Sequence, residues 1–150
     1  MNKSVLVMNF FREIEDEAYP LQTKAELLTQ SIVDYVNLVG PLKNNVEVIK
    51  DGIGLIIFFK PFDLKIFCNG SYKLFEIQEN IMSKCYQLHF YLKEHDKDVS
   101  VLKVFMTNDN YIVLDVRASD YICDTHNENQ GMRVFSLLLS NLYQGGLINI

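Results

Sequence analysis

Residues 46–60, Val-Glu-Val-Ile-Lys-Asp-Gly-Ile-Gly-Leu-Ile-Ile-Phe-Phe-Lys, read as two strands, 46–50 and 53–60, folded back on each other around Asp51-Gly52. An Asp-Gly pair tolerates the positive φ angles of a tight hairpin turn, so the two runs are antiparallel neighbours. The second run, with Ile53, Leu55, Ile56, Ile57, Phe58 and Phe59, is apolar on both faces. That pattern marks a central strand, covered on one side and available for an interface on the other. Pro61 breaks it. The alternation Phe62, Leu64, Ile66, Cys68 then predicts a third strand over 62–68, ahead of a turn at Asn69-Gly70.

Upstream, Thr23-x-x-Glu26 has the form of a capping box, and Leu28, Ile32, Tyr35, Val36 and Val39 follow at helical spacing. A helix over 24–39 is expected, stopped by Gly40-Pro41. Before it, 4–11 reads as either a short strand or a helical turn, and the acidic run from Glu13 to Glu17 reads as a solvated charge cluster. Downstream, Leu74, Ile77, Ile81, Cys85, Leu88 and Leu92 recur every three or four residues, which predicts a second helix over 72–93. Ile81, at the middle of that stripe, is expected in the core, where Ile81→Ala would cost about 2–5 kcal/mol. Strands over 99–106 and 111–117 bracket Thr107-Asn108-Asp109-Asn110. A polar linker over 119–131 leads to a third helix over 132–143, with Phe135, Leu138, Leu139 and Leu142 inward and Gly145-Gly146 at its end. The resulting order, α-β-β-β-α-β-β-α, defines an α+β fold with helices packed on an antiparallel sheet. The reading is a single domain over 1–150, with 1–22 as an N-terminal segment and 23–144 as the core.

A chain of 150 residues, 49% hydrophobic and 22% charged, has the composition of a globular domain and not of a disordered one. At this length folding buries about 70% of the surface of the extended chain. Fourteen basic against nineteen acidic residues give a net charge of −5, with no run of basic residues. This predicts no nucleic-acid partner and suits a basic protein partner. No apolar run is long enough to span a bilayer, and the stretch 5–11 leads into acidic residues and not into a cleavage site. No membrane association is expected, and the cytoplasm is the expected compartment. Cys68, Cys85 and Cys123 are odd in number and widely spaced, which argues against a disulfide framework.

Catalytic and metal-binding readings rest on few residues. Cys85-x-x-x-His89 with Cys123-x-x-His126 is the only spacing with zinc potential, and Cys85 already fits a core stripe. Ser119, Asp120, Cys123, Asp124 and His126 form the densest cluster for a hydrolase, but no turn of the nucleophile-elbow kind presents any of them. Asp51-Gly52-Ile53-Gly54 lacks the following helix of a phosphate loop. The expectation is no catalytic residue, no cofactor and no metal. The candidate interface comes from a second stripe on the expected helix 72–93: Phe75, Met82 and Tyr86, seven and four residues apart, form another apolar side. Pairing that side with a symmetry mate predicts a homodimer, which Met82→Glu should dissociate.

The Asp51-Gly52 hairpin, a helix ahead of 99–106, and Tyr111-Ile-Val-Leu-Asp-Val-Arg117 ahead of the last helix carry a resemblance. Over about residues 24–143 this layout resembles class I type III secretion chaperones and the related YbjN-type domains. The resemblance implies a non-enzymatic, chaperone-like protein that binds another polypeptide, such as a secreted effector. The alternative is an immunity protein or antitoxin that neutralises a toxin. An enzymatic reading, a small hydrolase or metal enzyme, would rest on the region of Cys123 and His126.

Overall fold

Residue alternation dominates the middle of the chain and builds one sheet. The computed structural model describes residues 2–16, 21–79, 81–117 and 121–148. Three helices come first: α1 (Lys3–Asp16), α2 (Leu21–Leu38) and the short α3 (Gly40–Asn45). Seven strands follow: β1 (Val46–Asp51), β2 (Gly54–Phe59), β3 (Leu64–Gln78), β4 (Ile81–Glu94), β5 (Lys97–Thr107), β6 (Tyr111–Val113) and β7 (Tyr121–Asp124). α4 (Gln130–Gln144) ends the series. The strands lie side by side in sequence order and every neighbouring pair is antiparallel. The fold is α+β with helices on an antiparallel sheet, as expected.

The first hairpin forms where expected, with the turn one residue later. Asp51 pairs with Gly54, so Gly52 and Ile53 are the two loop residues. Only Gly52 has positive φ, at 61°, which places the glycine at the first loop position, as in a type II′ turn.

The helix expected over 72–93 is instead the long β3–β4 hairpin, closed by the pair Gln78↔Ile81. The expectation failed because a spacing of four keeps residues on one face of a strand as well as of a helix. The two steps of three, Leu74 to Ile77 and Cys85 to Leu88, carry the run to the opposite face of a strand. Tyr86, Leu88, Phe90 and Leu92 are the buried alternation of β4. Ile81, expected in the core, is 48% exposed near the hairpin tip.

Asn69-Gly70, expected as a turn, lies within β3 and pairs with His89 and Leu88. Gly70 answers to packing: a Cβ there would stand 2.5 Å from the Tyr86 ring, which crosses the strand at that point. The β4–β5 turn uses His95 and Asp96, both with positive φ (51° and 63°). It contains no glycine to announce it.

Other boundaries also moved. Buried Leu21 anchors α2 before the expected cap, so Thr23 and Glu26 lie inside the helix and the division at 22/23 falls within α2. The alternatives for 4–11 resolve as part of α1. Glu13 of the acidic run ion-pairs with Lys84 on β4, and 17–20 lie outside the described residues. The strand expected over 111–117 ends at Val113, and the expected linker over 119–131 contains β7.

The main core lies between one sheet face and helices α2 and α4. Ala25, Leu28, Ile32 and Val36 of α2, with Val134, Phe135, Leu138 and Leu142 of α4, meet Ile57, Ile66, Leu88, Phe90 and Val104 of the sheet. The two helices approach closely at Gly131, where a Cβ would come within 2.4 Å of the Ser31 backbone and where the glycine N–H donates to Ser31 Oγ at 3.1 Å. α1 packs on the same face, over the far half of the β3–β4 hairpin. Phe10 meets Tyr72 edge-on at 6.0 Å, and Lys3 pairs with Glu76 at 3.0 Å.

Candidate functional site

With the helices gathered on one side, the opposite face of β1–β4 carries the side chains they leave uncovered. Strand alternation places Ile49, Ile56, Phe67 and Tyr91 there, and the register sets them directly side by side: Ile49↔Ile56, Ile56↔Phe67, Phe67↔Tyr91. This is an unbroken apolar row across four strands. Ile49 is 55% exposed and the other three are half-buried. Phe67 and Tyr91 stack with centroids 5.7 Å apart. Phe58 lies next to the row, with Lys65 over its ring at 5.9 Å, and Lys93 sits over Phe67 at 5.3 Å. Charges of both signs surround the row, since Lys65, Lys93 and Lys103 share the face with Glu47, Asp51 and Asp98.

Polar side chains hold the Tyr91 end in place. Asn69 Nδ2 donates to the Tyr91 hydroxyl at 2.8 Å, and His89 Nε2 lies 3.0 Å from Ser100 Oγ. Partial burial, together with nearby Lys103 and Lys73, pushes the His89 pKa below its ordinary range against the opposing effect of Asp98. This favours the neutral imidazole at pH 7. A serine and a histidine in contact are two parts of a nucleophilic site, but among the described residues no carboxylate hydrogen-bonds to the ring to orient it.

The three residues expected to form one interface stripe are separated, because their segment is a hairpin and not a helix. Phe75 on β3 lies on the uncovered face, edge-on to Phe105 at 5.5 Å and beneath the Arg117 guanidinium at 5.2 Å. Tyr86 projects to the helix-covered face and is buried against Tyr72, 4.9 Å away. Met82 lines a cleft of about 670 Å³ near the hairpin tip, together with Ile77, Lys84, Asp115 and Tyr121. A single contact surface from these three side chains does not exist.

The zinc and hydrolase candidates do not converge either. Cys85 packs with Phe105 and Val113 in a small cluster on the uncovered side, whereas Cys123 belongs to the main core on the other side of the sheet. His126 is exposed on the loop after β7, and 119–120 lie outside the described residues. Among the described residues no group of three or more potential ligands is placed to hold a metal ion. All three cysteines are free and buried. Burial pushes the Cys85 thiol up to about 12 and raises those of Cys68 and Cys123 as well, so none is a thiolate at neutral pH.

No family model, curated protein or solved structure matches the chain. Among the described residues, no helix is long and apolar enough to cross a membrane. The one sequence signal for the uncovered face was the two-sided apolarity of 53–59, which contains Ile56 and Phe58. Phe67 and Tyr91 gave no such signal, because their alignment with Ile56 exists only once β3 and β4 pair.

Proposed function

We propose that this chain is a non-enzymatic protein-binding module whose uncovered sheet face holds a partner polypeptide. The observation that carries the reading is the in-register row Ile49, Ile56, Phe67, Tyr91 on the face where, among the described residues, no helix packs. Contiguous apolar surface rimmed by charge is typical of protein-binding sites, where aromatic side chains act as anchors. Glu47, Asp51 and Asp98 on the same face, and a net charge of −5, weigh against a polyanionic ligand despite the lysines above the rings. Three free buried thiols suit a reducing compartment such as the cytoplasm. A secretion-chaperone-like holding role uses such a surface for an effector.

The test combines capture and reconstitution. A partner co-purified from the native cells with the wild-type chain is purified and titrated against Ile49→Glu and Phe67→Ser variants. Binding should weaken about tenfold or more, with unchanged circular dichroism. A partner that binds these variants as tightly as wild type, or a single-stranded oligonucleotide that binds the face instead, would reject the proposal.

A further inference from the structure

The two outer edges of the sheet are built differently. β7 has four residues, carries a bulge at Ile122, and has that residue's carbonyl occupied by a hydrogen bond from Arg133 Nη1 at 3.2 Å. A short, bulged edge with an occupied carbonyl resists addition of another strand. β1 has six residues in unbroken register with β2, without proline or bulge. Because a two-residue loop closes this hairpin, Asp51 and Gly54 exchange both backbone hydrogen bonds, and alternation gives the same to Ile49 with Ile56 and Glu47 with Phe58. The N–H and C=O groups of Val48 and Lys50 therefore point away from the sheet. The Val46 N–H is already bonded to the Leu42 carbonyl.

Alongside these outward groups, the uncovered face of β1 presents Glu47, Ile49 and Asp51, all exposed and alternating acid, apolar, acid. We infer that the outer edge of β1 takes an extended segment of the partner polypeptide as an added strand, with basic, apolar and basic residues at alternating positions. The inference rests on the protein-binding reading and specifies how the partner is held. Outward backbone donors and acceptors select a strand, Glu47 and Asp51 select its cations, and its apolar residue extends the row at Ile49. A second copy's β1 fits worse. With Ile49 opposite itself, Glu47 faces Asp51; with Val48 opposite itself, the pairing requires the Val46 N–H that Leu42 already holds.

Nine-residue peptides displayed on phage, selected on the full chain, test this. Enrichment of the basic-apolar-basic alternation is expected, and a selected peptide made synthetically should slow amide exchange at Val48 and Lys50. Val48→Pro removes an outward donor while Glu47, Ile49 and Asp51 keep the bonds to β2, and should weaken that peptide about tenfold or more. Because the proline variant could unfold, Glu47→Lys combined with Asp51→Lys provides a second check: the preference should switch to acidic peptides. Peptides that depend on Phe67 yet leave the Val48 and Lys50 amides unprotected overturn the edge inference and leave the binding reading standing. Enrichment of no sequence overturns both. Protection of the same amides that grows with protein concentration in the absence of peptide would make a second copy the occupant and overturn the assignment to a partner.

Discussion

Single residues show how far the face of a strand decides the energetic role of a side chain. Ile81 and Leu88 belong to one apolar series in the sequence, yet Ile81 is 48% exposed and Leu88 is fully buried. Leu88→Ala should cost about 2–5 kcal/mol and Ile81→Ala less than about 1 kcal/mol, as read from urea unfolding midpoints. His89 provides a pH-dependent case. Its folded-state pKa lies below the ordinary 6.5, so the unfolded chain binds the proton more readily. The stability it contributes is complete above 6.5 and is lost as pH falls from there through the folded value. His89→Gln should flatten that part of the stability profile between pH 7 and 5, and an unchanged slope would show that other groups govern it.

At the scale of elements, α1 differs from the helices of the main core. Phe10 is its one buried apolar side chain, while Val5, Val7, Met8 and Phe11 are exposed. Its docking depends on Phe10 against Tyr72 and on the ion pairs Lys3–Glu76 and Lys84–Glu13, and exposed pairs contribute little. Phe10→Ala should therefore release the helix without unfolding the sheet. Hydrogen exchange should accelerate across 3–16 while amides of β2–β5 stay protected, and equal acceleration in the sheet would show that α1 belongs to the cooperative core.

For the molecule as a whole, the three cysteines report on cooperativity. Cys68 and Cys123 lie in the main core and Cys85 in the cluster on the opposite side of the sheet. All are buried with raised pKa values, so an aromatic disulfide reagent at pH 8 should modify none rapidly in the native state and all three together on denaturation. Early reaction of Cys85 alone would show that the smaller cluster opens independently of the main core.

The chain itself determined the α+β class, the tight turn near Asp51-Gly52, the helix through Leu28, Ile32 and Val36, and the last helix through Phe135 and Leu142. In each of these the local signal has one reading: a turn dipeptide between β-branched runs, or an apolar stripe at helical spacing. The stretch 72–93 carried two periods at once, because steps of four fit either structure and the closing turns lacked glycine signals strong enough to choose. Pairing with β2 and β5 decided it, since only as strands do Leu88, Phe90 and Leu92 reach the helix-covered core while Tyr91 faces the other way. The candidate site was hidden for the same reason. Ile49, Ile56, Phe67 and Tyr91 are far apart in sequence, and only strand register brings them side by side on the face the helices leave open.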